Sequence, residues 1–193
     1  MSLDNKIFEI DRGKEFGMWT DPVSKFMYHD HFVHIYTKFN LDSYKSIEDI
    51  GGANGILRQF FEDKDYSTSD IDESKEPDFI GNIVNYNGIM AFKWRGETYN
   101  RHYQNELIVI RYVLHYLSDE EVIKMFSNIK ENHKGDILVV QFTNEAGDLD
   151  IKLSNSINET KYFRTQEQLY ALLQNFNIVL TDTQSFEVTA EFY

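Results

Sequence analysis

The stretch SIEDIGGANG, residues 46–55, decides how this chain is read. Its first half reads as a short strand ending at Asp49 and Ile50, and residues 56–62, ILRQFFE, read as a helix. Between them lie Gly51, Gly52 and Gly55, with Ala53 and Asn54 in the same turn. A strand that runs into a glycine turn and then a helix brings backbone close to a ligand, at the helix end where amide donors point outward. The turn holds neither Gly-x-Gly-x-x-Gly nor Gly-Lys-Ser/Thr, so the dinucleotide and triphosphate fingerprints both fail. What stands is Asp49-x-Gly51-x-Ala53-x-Gly55. It is either a ligand cradle or an ordinary strand–turn–helix corner, and the rest of the chain must decide.

Outward from this turn, strands and helices alternate. Pro22, with Thr20 or Asp21 as cap, opens a helix over about 23–39 with a broad apolar face. Residues 47–50, 66–71 and 78–83 read as three short strands, and 107–112 as a dense apolar strand buried on both faces. Ser118 with Glu121 forms a capping box for the helix that follows, and Gly135 precedes a further apolar strand at 137–142. Thr165 caps a helix whose inner face carries Leu169, Leu172, Leu173 and Phe176. Residues 178–181 and 186–192 close the chain as a hairpin. The segment 84–106 is the least legible; 89–94 has the character of a strand, and Gly96 turns the chain before Tyr99. The expectation is one α/β domain over residues 1–193: a doubly wound, mostly parallel sheet with a C-terminal antiparallel strand pair. The helical segment at about 20–40 would cover the crevice beyond the carboxyl ends of the first, second and fourth strands.

Composition narrows the function. A chain of 193 residues with 41% apolar content, 15 Phe and 12 Tyr fills one ordinary core. There is no cysteine, which excludes disulfides, thiolate catalysis and a thiolate zinc site. Asp and Glu outnumber Lys and Arg by 32 to 19, for a net charge of −13. Such a surface repels a phosphate backbone, so nucleic acid is not the expected partner, and a small molecule or a partner protein fits better. The N-terminal residues lack the pattern of a secretory signal, and no run is long and apolar enough to span a membrane. A cytoplasmic protein is the expectation, with homodimer formation left open.

The turn resembles the first motif of the S-adenosylmethionine-dependent methyltransferases of Rossmann-like fold, usually acidic-x-Gly-x-Gly-x-Gly. The later elements carry the likeness on. In YSTSDIDES, Asp70, or Asp72 as runner-up, matches the acid that holds the cofactor ribose, and Ile71 would lie against the adenine face. In PDFIGNI, Asn82 stands where the family commonly has an acid facing the adenine amino group, with Ile83 beside it; its side-chain carbonyl can accept that hydrogen bond and its NH₂ can meet a ring nitrogen, or it is a plain turn residue. The run LIVIRYVLHYLSDEEVIKMFSNIKENHKGDILVV is similar to the family's fourth strand, its loop and helix, and the approach to the fifth strand. Arg111 and Tyr112 would stand at that strand's mouth, near the methyl donor. The resemblance implies S-adenosylmethionine as cofactor, bound by Asp49, Gly51, Gly52, Ala53, Asn54, Gly55, Asp70, Ile71, Asn82, Ile83 and Arg111. It implies methyl transfer to a small-molecule hydroxyl, carboxyl or amine acceptor, by a divergent family member. The alternative is an inactive, methyltransferase-like binding or regulatory protein, because Ala53 and Asn82 depart from the motifs. Ala53 adds a Cβ that the turn tolerates only if its φ stays negative.

For the chemistry, positioning can supply much of the rate. His115 is the candidate general base, since its ordinary pKa lies near neutrality, with a packing or capping histidine as the plainer reading. Tyr112 either shapes the acceptor pocket or is a core tyrosine. His29, Asp30, His31 and His34 share a helical stretch but do not converge as a ligand set, so no metal is expected. Trp19 and Tyr28 are candidate lining for the covering helix.

Overall fold

A computed structural model describes residues 31–53, 55–94, 97–102, 105–141, 143 and 162–178. The chain enters as helix α1 (His31–Lys38), then forms β1 (Ser46–Ile50), β2 (Asp65–Asp70), β3 (Phe79–Ile80), β4 (Ile89–Trp94), β5 (Glu97–His102) and β6 (Leu107–Arg111). Helix α2 (Asp119–Asn132), strand β7 (Asp136–Val140) and helix α3 (Gln166–Leu173) follow. The seven strands form one sheet in the order β5-β4-β3-β2-β1-β6-β7. β3, β2, β1, β6 and β7 run parallel, while β4 and β5 pair antiparallel at one edge. This is the doubly wound, mostly parallel sheet with flanking helices that the sequence implied.

The order of winding places the crevice. From β1 the chain steps outward to β2 and β3, then returns to lay β6 on the other flank of β1. The direction reverses between β1 and β6, and ligands of open α/β sheets bind beyond the strand ends at such a point. Register aligns Ile50 with Ser69 on one side and with Ile110 on the other. Gly51, Asp70 and Arg111 therefore lie one residue further, together at the carboxyl edge.

Each sheet face carries its own core, because alternate strand residues point to opposite faces. On one face Ile47, Tyr66, Leu107, Val109 and Val140 pack with Phe32, Ile35 and Tyr36 of α1. Phe32 and Phe60 meet edge to face at 5.0 Å, and Phe61 stacks on Tyr66 at 5.5 Å. On the other face Ile50, Ile108 and Ile110 pack with Val122, Met125, Phe126 and Ile129 of α2 and Leu173 of α3. Both helices start at complete capping boxes, Ser118 with Glu121 and Thr165 with Gln168. Each box satisfies amide donors that a helix start otherwise leaves without partners.

The structure corrects several boundaries. Residues 56–62 do not form an α-helix; a single 3₁₀ stretch covers Ile56–Phe60, after Gly55 in the left-handed region. The strand expected over 78–83 shrinks to Phe79–Ile80, because Asn82 begins another 3₁₀ turn. β5 pairs with β4 through the whole run from Ile89↔His102 to Trp94↔Glu97, a hairpin partner the sequence did not mark as a strand. The expected C-terminal hairpin, Trp19, Asn54 and the whole 20–30 segment, with Tyr28, His29 and Asp30, lie outside the described residues. Among the described residues no helix is long and apolar enough to cross a membrane, and no three His, Asp or Glu side chains group as a metal site.

Candidate functional site

The turn after β1 is tied down from three directions. Gly51, at φ +69°, donates its N–H to the Ser69 carbonyl at 2.7 Å, joining the turn to the end of β2. A Cβ on Gly51 would sit 2.4 Å from Val113 Cγ2, on the loop after β6. A Cβ on Gly52 would sit 2.6 Å from the Asp49 carboxylate, so that the backbone of Gly52 seats directly on Asp49. Gly55 completes the turn at φ +82°, with its N–H on the Gly52 carbonyl at 2.9 Å.

Ala53 does not keep a negative φ. It stands at +47°, a conformation that costs a residue with a Cβ about 1–2 kcal/mol. Its N–H reaches Asp70 Oδ2 at 3.2 Å, and Asp70 Oδ1 accepts from the Asp72 N–H at 2.9 Å. Asp70 thus braces the strained residue and the first residues after β2 at once. Asp72 is instead spent on Ser74, capping its own 3₁₀ turn. Beyond Asp70, Ile71 is 67% exposed, a large apolar side chain standing in the open at the crevice edge.

Asp49 is only 1% exposed and accepts a hydrogen bond from the Tyr66 hydroxyl at 2.7 Å. Burial pushes its carboxyl above the ordinary range, while the Arg111 charge and the Tyr66 hydrogen bond pull it back. Its job here is to support the turn from beneath. Arg111 is buried too, its guanidinium 5.8 Å from the Phe32 ring and 5.6 Å from the Tyr112 ring. Tyr66, which the sequence reading did not single out, completes this group. Its signal was its place two residues into β2, on the same sheet face as Asp49.

Tyr112 adopts φ +57°, donates its N–H to the Val140 carbonyl at 2.8 Å, and places its hydroxyl 3.2 Å from His31 Nδ1. That contact fastens the first described residue of α1 to the mouth of β6. His115 follows on the 3₁₀ turn Leu114–Tyr116 and is 6% exposed. Its ring lies parallel to Phe163 at 5.8 Å and against Tyr116 at 4.0 Å, with Nδ1 3.3 Å from Gln141 Nε2. Arg164 holds this loop in place. Its guanidinium donates to the carbonyls of Leu114, Leu117 and Tyr162 and to the Asp119 carboxylate.

On the far flank, the Asn82 side chain is exposed, but its Oδ1 already accepts the Val84 N–H at 2.9 Å. The carbonyl expected to meet an adenine amino group is used for capping, which leaves the NH₂ for any ligand. Ile83 packs partly into the α2 core rather than standing free. An open depression of about 450 Å³, lined by Tyr44, Glu106, Lys134 and Asp136, lies at the opposite, amino ends of the strands.

The donor set at the carboxyl edge fits a flat, hydroxyl-bearing nucleoside with a charged tail. It offers a braced carboxylate, an exposed apolar side chain and a backbone turn with no room for further Cβ atoms. No protein-family model matches the chain, and no curated protein matches it by sequence. Solved structures match it in fold. Human N-acetylserotonin methyltransferase in complex with SAM aligns at TM-score 0.53 and 15% identity, over 82% of this chain and 51% of that one. Magnesium protoporphyrin IX methyltransferase from Synechocystis PCC 6803 with bound SAH aligns at TM-score 0.56 and 13% identity, over 84% of this chain and 79% of that one. An O-methyltransferase family protein from Burkholderia thailandensis aligns at TM-score 0.53 and 11% identity, over 81% and 55%. The chain thus spans about half of two of these proteins and about four-fifths of the third. What it shares with them is the Rossmann-like fold of the S-adenosylmethionine-dependent methyltransferases.

Proposed function

We propose that this protein binds S-adenosylmethionine in the β1–β2–β6 crevice and transfers its methyl group to a small-molecule acceptor. The observation that carries the reading is the Asp70 brace: one carboxylate holds Ala53 of the turn and stands at the end of β2, beside the exposed Ile71. In this reading the turn from Gly51 to Gly55 meets the amino-acid end of the cofactor, Asp70 meets the ribose hydroxyls, and Ile71 covers the adenine. Asn82 offers its NH₂ to the adenine edge. Arg111 and Tyr112 shape the mouth of β6, and His115 lies on the acceptor side. The cofactor supplies a sulfonium-activated methyl; the chain supplies binding, orientation and exclusion of water. An oxygen or nitrogen acceptor agrees with the reading.

Calorimetric titration with S-adenosylmethionine and S-adenosylhomocysteine tests it directly. Saturable binding of both is expected. If neither binds the folded protein at millimolar concentration, the reading fails.

A second reading is favoured by two observations, the strained Ala53 and the Asn82 carbonyl spent on capping. It is a binding protein that keeps the fold and the cofactor but performs no transfer. A screen of hydroxyl, carboxyl and amine metabolites, followed by release of S-adenosylhomocysteine, separates the two. Sustained turnover of any one excludes the second reading.

A further inference from the structure

The geometry points to Gln141 as a positioning residue that holds His115 in its Nε2–H form and so withholds a proton-accepting imidazole from the methyl acceptor. Gln141 directly follows β7 and reaches across to the loop after β6. Its Oε1 lies 3.2 Å from the Leu114 backbone N, and its Nε2 lies 3.3 Å from His115 Nδ1. A backbone N–H only donates, so the amide atom facing Leu114 is the oxygen. That settles the other end of the amide. An NH₂ group only donates as well, so His115 Nδ1 must accept, and in the neutral ring the proton then resides on Nε2.

Neither partner has an easy alternative. Turning the Gln141 amide over would set NH₂ against the N–H of Leu114, a fully buried residue, and leave that donor unsatisfied. Rotating the imidazole is opposed by its packing between Phe163 and Tyr116, in a loop pinned by Arg164. A general base needs an unprotonated nitrogen directed at the acceptor. Here the single unprotonated nitrogen is engaged by Gln141, so His115 does not fill the base role its sequence position suggested.

The consequence concerns the acceptor, and for this it rests on the methyl-transfer reading. With His115 withheld as a base, the site favours an acceptor whose attacking atom has no proton for His115 to remove. A carboxylate, ionised throughout the neutral range, satisfies this where an alcohol does not.

Long-range ¹H–¹⁵N correlation on the full chain above pH 8, with His115→Gln to assign the signals, reads the tautomer without cofactor or acceptor. The expected pattern is a protonated Nε2 and an unprotonated Nδ1; the reverse pattern overturns the inference. In Gln141→Glu, one carboxylate oxygen still accepts the Leu114 N–H and the other accepts from the ring, so the tautomer should invert to Nδ1–H. An unchanged pattern in that variant, folded by circular dichroism, removes Gln141 from control. Should the variant not fold, Gln141→Met is the second test. It removes the directing amide, so a mixture of tautomers is expected and an unchanged pure Nε2–H form counts against the inference. With S-adenosylmethionine present, benzoate and butyrate are expected to be methylated in preference to benzyl alcohol and butanol. Alcohol turnover that falls more than about tenfold in His115→Gln overturns the acceptor assignment. Failure of the cofactor to bind refutes the methyl-transfer reading and leaves the tautomer result standing.

Discussion

Glu48 and Asp49 are neighbours on β1, both buried, and they point to opposite faces of the sheet. Their surroundings differ in kind. Asp49 looks towards Tyr66 and Arg111, so burial is opposed by a hydroxyl at 2.7 Å and by a positive charge. Glu48, at 0% exposure, is met by the Ser69 hydroxyl and the Asn105 amide, each at 3.2 Å, and among the described residues by no cation that acts on it appreciably. Burial pushes its carboxyl up to about 7, and the charge of Asp49 adds to the push. The same strand thus carries one acid supported by a charge under the glycine turn and one that is protonated in mildly acidic solution. The face that supports the crevice holds the compensating cation; on the opposite face, packed on α2, none acts on Glu48 among the described residues.

The comparison breaks most severely at Arg111. Arg111→Leu removes the positive charge that acts on Asp49 and leaves its buried carboxylate on the Tyr66 hydrogen bond. We expect a loss of about 3–5 kcal/mol in urea unfolding. A loss under 1 kcal/mol would show that Asp49 does not depend on the charge.

Glu48 sharpens the comparison through pH. Its carboxyl titrates near 7 in the folded chain and near 4.5 when unfolded. Between those values the unfolded chain has released the proton and the folded chain still holds it, so rising pH erodes stability across this window. Below pH 4.5 the group is protonated in both states, and above about 7 it is ionised in both, where its full burial cost falls on the fold. Glu48→Gln keeps the donors and acceptors of the neutral form. The variant should gain on the parent progressively from pH 4.5 to 7, reaching about 3 kcal/mol. Parallel stability profiles for parent and variant would place Glu48 in contact with a counter-charge or water.

Asp70→Ala, on the Asp49 side of the comparison, removes the brace on Ala53 and the proposed ribose contact together. Affinity for S-adenosylhomocysteine should fall by about 1.5–3 kcal/mol, or tenfold and more, in calorimetry. Unchanged affinity would move the ribose contact elsewhere. The smallest effect belongs to Ala53→Gly. Glycine relieves the +47° backbone but brings extra freedom to the unfolded chain, so a net gain of about 1 kcal/mol or less is expected. A clear destabilisation would mean that the Cβ is packed rather than strained.

Much of this was legible before any fold was known, and for local reasons. Strands β6 and β7 announced themselves as apolar runs, the helix after β6 by the capping box Ser118-x-x-Glu121, and the last helix by its cap Thr165. Gly51 and Gly55 were expected in a tight turn and both stand at positive φ, and Asp70 stands at the end of β2, where the resemblance put it. The misreadings were local too. ILRQFFE has a helix's composition, yet the chain must reach β2 quickly, and one 3₁₀ stretch is all that fits. The strand expected over 78–83 stops at Ile80, because the Asn82 side chain caps its own 3₁₀ turn through the Val84 N–H.

What no reading along the chain reaches is partnership across it. Tyr66 lies 17 residues from Asp49, Gln141 lies 26 from His115, and Arg164 lies 50 from the Leu114 carbonyl it holds. β5 was missed because its run ETYNRH is mostly polar, and a strand at a sheet edge is specified by its partner β4 more than by its own pattern. Sequence spacing determines which residues share a turn, a cap or a face of a strand, since those are set by the 2.0 and 3.6 periods of the backbone. Which charge meets which carboxylate, and which nitrogen of an imidazole carries the proton, is decided only when the winding order brings β1, β2, β6 and β7 side by side. Hydrogen bonds and charges act over a few ångströms of space, however far apart their owners stand in the chain.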